Sequence, residues 1–205
     1  WNNTTHIVGK DILRHHAVYW PAFLMAANLK LPKRIFAHGW WTNEGNKISK
    51  SLGNVIDPLE VINKYGLDQF RYFMLREVPF GNDGDFSIKA LEGRINSDLA
   101  NDLGNLCQRS LSMANKHLNN DIKCVPLEKN DLKTLQFAIE LNKKLTDMVM
   151  YQNITEYIKT VWELINISNK FFNENEPWKI VKSDIKQFNK ILFITAELIK
   201  IIAIY

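Results

Sequence analysis

The 205-residue sequence predicts an α/β segment over residues 1–85 followed by an all-α helical bundle over residues 86–205, so the protein should be mostly α-helical overall. Two observations predict this division. The first third alternates short apolar runs with Gly and Pro, which is typical of the strand–turn–helix–strand order of an α/β sheet. After residue 87 the apolar residues recur every three and four positions, as on one face of a helix. The turn cluster at 81–85 (GNDGD) is the predicted boundary.

The first segment should contain two short strands with a helix between them. Residues 6–8 and 34–38 are short apolar runs, and a glycine follows each of them. A helix is predicted to open near Asp11, and Pro21 should end or kink it because proline lacks a backbone N–H. A polar loop is expected over 42–54.

Helix starts and stops further along the chain follow from capping residues. Asp57 followed by Pro58 is typical of a helix N-terminus. Gly66 should end that helix, and Asp68 should cap the next one. In the bundle, Ser87 should cap a helix that continues towards residue 118, and Asp131 should open another. The apolar spacing from Ile154 marks a third helix, and two more are predicted from Pro177 and from about Asp184.

Composition and charge exclude several classes of protein. Hydrophobic residues make up 46% of the chain, which is too many for a disordered protein. The net charge of +4 is compatible with an anionic partner but does not require one. Cys107 and Cys124 form no CxxC pair, so we expect no zinc or other metal site and a reducing, cytoplasmic location. The apolar stretch 191–205 carries Glu197 and Lys200, which favours a buried helix over a membrane span.

A short basic loop carries the clearest chemical signal. Residues 47–51 (KISKS) place two lysines beside two hydroxyls between a predicted strand and a predicted helix. Ammonium groups stabilise the negative charge that develops when pyrophosphate leaves, and ligands bind in loops after strand ends of α/β sheets. The same residue types also occur in solvated surface loops, so these five residues alone do not decide.

The longer stretch 47–58 (KISKSLGNVIDP) resembles the second signature of class I aminoacyl-tRNA synthetases, usually written KMSKS. Ile48 replaces the usual methionine and keeps an apolar side chain. The resemblance implies that Lys47 and Lys50 are catalytic and contact the phosphates of ATP, with Ser49 and Ser51 in the same ATP-binding loop. It also implies that Mg²⁺ accompanies the ATP.

Several other segments resemble methionyl-tRNA synthetases in the same order along the chain. They lie at 6–25, 38–41 (HGWW), 71–81, 98–106 (DLANDLGNL) and 176–178 (EPW). The HIGH-like first signature of class I enzymes is absent. The resemblance therefore implies a C-terminal fragment that lacks the N-terminal half of the catalytic domain, ends within the bundle and is inactive alone.

Three residues in the first predicted helix suit a methionine side chain. Ile12, His16 and Trp20 recur every four positions and so share one helix face. They combine apolar walls with one hydrogen-bonding group, and sulfur packs favourably against aromatic rings. The resemblance implies that they line the methionine pocket. From the residues alone, an amphipathic core helix with a hydrogen-bonded histidine is the alternative.

The resemblance also implies that Gly9 and Asp11 approach the ribose of ATP, and that His38 and Trp41 lie near its adenine. Glycine allows close approach to the backbone, and a carboxylate accepts from ribose hydroxyls. Asp11 could equally be a helix cap.

A third group implies RNA recognition. Asn105 and Arg109 are four positions apart on a predicted helix, and Trp178 follows Pro177 after an asparagine-rich turn. Amides and guanidinium groups read base edges, and indoles stack on bases. By the resemblance these residues bind the CAU anticodon of tRNA(Met). A solvated helix face and a buried tryptophan are the alternatives.

The resemblance thus implies a methionine–tRNA ligase with methionine, ATP and tRNA(Met) as ligands and no membrane association. Two other functions remain open from the sequence: a non-catalytic helical tRNA-binding module, and a class I ligase for another aliphatic amino acid.

Overall fold

A computed structural model describes residues 3–49, 51 and 53–205 of the chain. The chain divides into two compact units, Trp1–Leu91 and Glu92–Tyr205. The division falls within helix α4 (Ile88–Arg94), a few residues after the turn cluster. Helices account for most of the described secondary structure, as the sequence predicts.

In the first unit, strands β1 (Thr5–Gly9) and β2 (Arg34–His38) pair in parallel, which confirms both predicted strands. Gly9 lies opposite His38 at the end of the register. Because the carboxyl ends of parallel strands meet at one edge of a sheet, this pairing places the residues that follow β1 beside those that follow β2.

The connection from β1 to β2 is helical, but it is not a single α-helix from Asp11. It consists of a 3₁₀ turn (Lys10–Ile12), a π-helical turn (His15–Tyr19) and helix α1 (Trp20–Ala26). The expectation that Pro21 ends the helix is wrong. Pro21 lies in the first turn of α1, directly after the π-helical turn, and the helix continues to Ala26.

Three short strands occupy the region that was expected to be loop and turn. They are β3 (Trp41–Asn43), β4 (Asn46–Lys47) and β5 (Gly84–Phe86). β3 and β4 form an antiparallel hairpin, and β5 runs parallel to β3 on its other side. Strands of two or three residues are too short to show an alternating pattern, so the sequence could not reveal them.

Helices α2 (Pro58–Tyr65) and α3 (Leu67–Arg76) follow the hairpin. The side chain of Asp57 accepts a hydrogen bond from the Leu59 amide at 2.8 Å, which confirms the predicted cap. Asp68 was expected to cap α3 but lies inside it. Gly66, at φ 98°, ends α2 and directly precedes α3, so no residue is left for a separate cap.

The second unit is a helical bundle, and the predicted starts at Ile154, Pro177 and Asp184 are confirmed. Ser87 caps α4: its side-chain oxygen accepts a hydrogen bond from the Ala90 amide at 3.1 Å, which confirms the predicted cap. After α4, the bundle comprises a π-helical segment (Ile95–Gly104), α5 (Asn105–Leu118), α6 (Lys129–Met150), α7 (Ile154–Glu174), α8 (Pro177–Ile180) and α9 (Ile185–Ile204).

Two apolar clusters form the core of the bundle. The larger one joins α6, α7 and α9, and the smaller one holds fully buried Phe172 and Phe188 between α5, α7 and α9. Phe172 of the smaller cluster contacts Arg109 and Trp178, two of the predicted RNA-binding residues. Within the described part of the chain, no helix has the length and apolar character needed to cross a membrane.

The start of α6 differs from the prediction, because Glu128 is the cap and Asp131 is the third helical residue. The Asp131 carboxylate accepts from the Glu128 amide at 2.9 Å and pairs with Lys190 at 2.9 Å. Burial raises the pKa of Asp131, but the hydrogen bonds from Lys190 and from the Glu128 amide outweigh it and hold the pKa below its usual value.

This pair predicts a pH-dependent stability. A carboxylate whose pKa is lowered by folding stabilises the native state above its unfolded pKa of about 3.9, and this contribution is lost as the pH falls through the folded pKa. We expect Asp131→Asn to lower the free energy of unfolding by roughly 1 kcal/mol at pH 7 and by less at pH 3. Denaturant unfolding at both pH values tests this, with exposed Asp147→Asn as the control. An equal loss at both pH values would contradict it.

Candidate functional site

The first unit contains a cavity of about 580 Å³ lined by residues from three segments. Asp11 follows β1, Trp41 begins β3, and Lys47 ends β4 opposite Thr42 in the hairpin. The lining residues are Asp11, Trp40, Trp41, Thr42, Lys47 and Ile48. Three of the predicted ATP-binding residues, one after β1 and two in the β3–β4 hairpin, therefore line one cavity that offers a cation, a carboxylate and aromatic rings.

Gly9, Asp11 and His38 form one cluster at the ends of β1 and β2. A Cβ atom at Gly9 would lie 2.4 Å from Asp11 Oδ1 and 3.8 Å from His38 Cε1. Any other residue at position 9 would therefore displace the Asp11 carboxylate. His38 Nδ1 lies 2.9 Å from the carbonyl oxygen of Gly39, which orients the imidazole ring. Since a carbonyl only accepts, Nδ1 is the protonated nitrogen in this contact.

A lysine–aspartate pair fixes Trp40 at the cavity wall. Lys10 Nζ lies 2.5 and 2.6 Å from the two carboxylate oxygens of Asp83, and 4.1 Å from the centre of the Trp40 ring. The Trp40 amide donates to Asp83 Oδ1 at 2.9 Å. The hydrogen bond from Lys10, followed by the one from Trp40, lowers the pKa of Asp83. Sequence patterns do not reveal this pair, because its members are 73 positions apart.

Asp85 holds the β3–β4 hairpin through side-chain hydrogen bonds, as Asp83 holds Trp40. Its carboxylate accepts from the Thr42 hydroxyl and, at 2.8 Å, from the Gly45 amide. These two hydrogen bonds, the one from Thr42 first, lower the pKa of Asp85. The contacts connect β5 to the turn of the hairpin that carries Lys47.

The basic loop is closed by a residue that the sequence analysis did not single out. The Ser49 amide donates to Asn54 Oδ1 at 2.8 Å, and Asn54 Nδ2 donates to the Lys47 carbonyl at 3.0 Å. The Ser49 and Ser51 hydroxyls lie 2.7 Å apart. Lys50 lies outside the described residues, so its predicted role stays a prediction.

The three predicted methionine-binding residues lie along one line of the first helical segment. His16 Nδ1 is 3.0 Å from the carbonyl oxygen of Ile12, and the rings of His16 and Trp20 meet edge to face at 6.4 Å. Trp20 also meets His6 edge to face at 4.9 Å. Ile12 is 40% exposed and His16 is half-buried, so this face is accessible rather than part of the core.

In the second unit, Arg109 is held by two asparagines of α7. Its Nη1 donates to Asn173 Oδ1 at 2.9 Å and its Nη2 to Asn169 Oδ1 at 3.0 Å. Its Nε donates to the Asn105 carbonyl at 3.3 Å, and its guanidinium carbon lies 5.2 Å from the Phe172 ring centre. Neutral amides orient the guanidinium without neutralising its charge, which leaves it able to bind an anion or a base edge.

Trp178 packs against Phe172, the residue that also contacts Arg109. Its ring centre lies 6.2 Å from that of Phe172, and its side chain is 45% exposed. It is therefore not a buried core residue. Arg109 and Trp178 both contact Phe172. Asn105 lies four positions before Arg109, and its side chain is exposed. The spacing of Asn169, Phe172 and Asn173 places them on one face of α7, but no sequence pattern pairs that face with Arg109 of α5.

Burial and the neighbouring Asp98 raise the pKa of Asp102, whose carbonyl accepts from Asn169 Nδ2 at 2.9 Å. Burial also raises the pKa of the half-buried Cys107 thiol. Among residues 3–49, 51 and 53–205, no group of three His, Cys, Asp or Glu side chains is placed to hold a metal ion.

Comparison with known proteins gives consistent matches over the whole chain. The chain is 46% identical over 208 residues to the methionine–tRNA ligase of Brucella suis biovar 1 (strain 1330), covering all of this chain and 40% of that protein. It is 49% identical over 214 residues to the methionine–tRNA ligase of Rickettsia conorii (strain ATCC VR-613 / Malish 7), covering 41% of that protein. The chain thus spans about two fifths of the length of these relatives.

Solved structures agree. The structure of Mycobacterium tuberculosis methionyl-tRNA synthetase in complex with methionyl-adenylate matches with a TM-score of 0.93 and 44% identity, covering 99% of this chain and 41% of that one. The apo form of the same enzyme matches with a TM-score of 0.88 and 41% identity. The family model of the tRNA synthetases class I (M) matches residues 1–111, more than half of the sequence. The chain therefore belongs to the class I tRNA synthetase (M) family.

Proposed function

We propose that this chain is part of a methionine–tRNA ligase, which activates methionine with ATP to methionyl-adenylate and pyrophosphate and then transfers methionine to the 3′ end of tRNA(Met). The observation that carries the proposal is the cavity lined by Asp11, Trp41 and Lys47, in a chain whose relatives have that name. Because the chain spans about 40% of those relatives, we expect the activity to need the parts it does not cover. This chain alone should be inactive.

In the first step the methionine carboxylate attacks the α-phosphorus of ATP and pyrophosphate leaves. Negative charge builds on the leaving oxygens, and the ammonium groups of Lys47 and Lys50 are the proposed stabilising cations. Asp11 would accept hydrogen bonds from the ribose hydroxyls, with Gly9 allowing the sugar to approach. Trp41 and His38 would contact the adenine.

Mg²⁺ would arrive with ATP as part of the substrate. Mg²⁺ is usually held by substrate phosphates together with one or two carboxylates, and it keeps several water ligands. Because Asp11, the carboxylate that lines the cavity, is assigned to the ribose, the metal would be held by the phosphate oxygens and by water. Its charge would help to neutralise the phosphates.

The helical unit is the proposed tRNA-binding part. Arg109 offers a charged donor whose plane is fixed by amides, and Trp178 offers an exposed indole on the same support. Donor groups beside an aromatic ring suit an unpaired base, because the base can stack and be read at its edge. With Asn105, these residues would bind the CAU anticodon. Because this proposed role is part of protein synthesis, the proposal includes a cytoplasmic location.

Methionine-dependent exchange of pyrophosphate into ATP tests the activation step. The polypeptide encoded by the complete reading frame is assayed with methionine, leucine, isoleucine, valine and cysteine. At low amino-acid concentration, we expect pyrophosphate exchange with methionine and not with the other four amino acids. Exchange with another amino acid would favour a different class I ligase. Binding of tRNA without any exchange would favour a non-catalytic tRNA-binding protein.

The His16 ring should determine methionine affinity. We expect His16→Ala to raise the KM for methionine by about tenfold, with little change in kcat, because it removes one hydrogen-bonding group and one ring contact from the side-chain wall. His15→Ala is a matched control, since His15 is the adjacent, exposed histidine and its ring contacts Tyr19. An unchanged KM in His16→Ala, measured by pyrophosphate exchange, would remove His16 from the proposed pocket.

A further inference from the structure

Asn54 joins Lys47 and Ser49 of the basic loop through its side chain. Its Oδ1 accepts from the Ser49 amide at 2.8 Å, and its Nδ2 donates to the Lys47 carbonyl at 3.0 Å. One amide group therefore satisfies a main-chain donor and a main-chain acceptor that flank Ile48. Lys47 is the last residue of β4, so these contacts lie at the point where the strand pairing of the hairpin ends.

Asn54 is in turn attached to the sheet. Asn43, the last residue of β3, donates from its Nδ2 to the Asn54 carbonyl at 2.9 Å. Asn43 pairs with Asn46 across the hairpin, so its position is fixed by the strand register. Asn43 and Asn54, which are 11 positions apart in sequence, thus connect β3 to Lys47 and Ser49 of the basic loop.

These contacts bear on Lys47 more than on stability. Lys47 lines the nucleotide cavity, and its carbonyl is one of the groups that Asn54 holds. Ser49 and Asn54 are only half-buried, so water could replace the hydrogen bonds if Asn54 were removed. The backbone at Lys47 would then keep its pairing with Thr42 but lose the hydrogen bond to its carbonyl, so the end of the strand would be less firmly held, although the core of the unit would keep its packing.

We propose that Asn54, anchored by Asn43, is a positioning residue that sets the place of the Lys47 ammonium at the phosphates of ATP. This inference rests on the proposed function. Transition-state stabilisation by a charged group depends on placement to within a fraction of an ångström, whereas binding of the amino acid elsewhere does not depend on this loop. Loss of Asn54 should therefore lower kcat rather than weaken methionine binding.

The test compares Asn54→Ala with Asn46→Ala in the complete polypeptide. Asn46 is a matched control, because it is an exposed asparagine of the same hairpin whose side chain donates to the Glu44 carbonyl and not to the loop. We expect Asn54→Ala to lower kcat for methionine-dependent pyrophosphate exchange by about tenfold or more, since small misplacements can cost up to about 10²-fold. The KM for methionine should stay within about twofold in both variants.

A second variant and a second readout separate positioning from misfolding. Asn54→Asp keeps the acceptor for the Ser49 amide but loses the donor to the Lys47 carbonyl, so its kcat should lie between those of wild type and Asn54→Ala. Hydrogen exchange of the Ser49 amide should be faster in Asn54→Ala and unchanged in Asn46→Ala. Asn43→Ala should resemble Asn54→Ala with a smaller loss.

Two results would overturn the inference: an unchanged kcat in Asn54→Ala, or an equal loss in Asn46→Ala. Wild-type protein without methionine-dependent exchange would instead overturn the proposed function. In that case the Ser49 amide still decides the structural part, because its exchange rate reports the hydrogen bond from Asn54 and does not depend on activity.

Discussion

Lys47→Ala is expected to lower kcat for methionine-dependent pyrophosphate exchange by about 10²–10³-fold in the complete polypeptide, the loss typical of removing one stabilising group from a charged transition state. Lys47 ends strand β4, and its side chain lines the cavity with Asp11 and Trp41. The charge it would stabilise develops as pyrophosphate leaves. The KM for methionine should change little, because the side chain lies in the phosphate part of the proposed site.

The control is Lys33→Ala, which removes an exposed lysine of the same unit outside the cavity. Its kcat should remain close to that of wild type, so net charge alone does not account for the expected loss. Lys47→Arg should recover part of the rate, since a guanidinium keeps the charge but differs in shape and hydration. If Lys47→Ala keeps kcat within about threefold of wild type, Lys47 does not stabilise the transition state.

Trp178→Ala is expected to weaken tRNA(Met) binding by about 5- to 150-fold, because stacking of one base on an aromatic ring contributes roughly 1–3 kcal/mol. The indole is 45% exposed and rests on fully buried Phe172, so its removal should affect the surface more than the core. Binding is measured at one stated salt concentration, since phosphate contacts depend strongly on ionic strength.

Two comparisons make this prediction specific. Trp178→Phe keeps an aromatic ring and should retain most of the affinity, whereas Tyr151→Ala removes an exposed aromatic residue of the same unit and should have little effect. Wild type should prefer tRNA(Met) over a copy with a changed anticodon, and Trp178→Ala should lose that preference. Equal weakening by Trp178→Ala and Tyr151→Ala would argue against recognition by Trp178.

Regular patterns in the sequence predicted the elements that have enough residues to show them. Strands β1 and β2 and the caps at Asp57, Ser87 and Asp184 are confirmed. Strands β3, β4 and β5 were missed, because two or three residues cannot display alternation and β5 pairs with a strand about 40 positions earlier in the chain. Asp68 was predicted to cap α3 and Asp131 to open α6, because local pattern alone does not distinguish the start of a helix from a residue within its first turn.

In the candidate site too, some residues were predictable from the sequence and others were not. Motif resemblance identified Asp11, Trp41 and Lys47, which line one cavity, and Arg109 and Trp178, which share Phe172 as support. The residues that hold them in place were not predicted, since Asp83 and Asn169 act across separations of more than 40 positions. Such contacts depend on the folded backbone, which has no signature in short segments of sequence.

Aminoacylation of tRNA(Met) with labelled methionine by the complete polypeptide tests the central claim most directly. We predict ATP-dependent attachment of methionine to tRNA(Met), with a much lower rate for the copy whose CAU anticodon is changed. Attachment of a different amino acid, or no attachment despite intact tRNA binding, would contradict the assignment of this chain to a methionine–tRNA ligase.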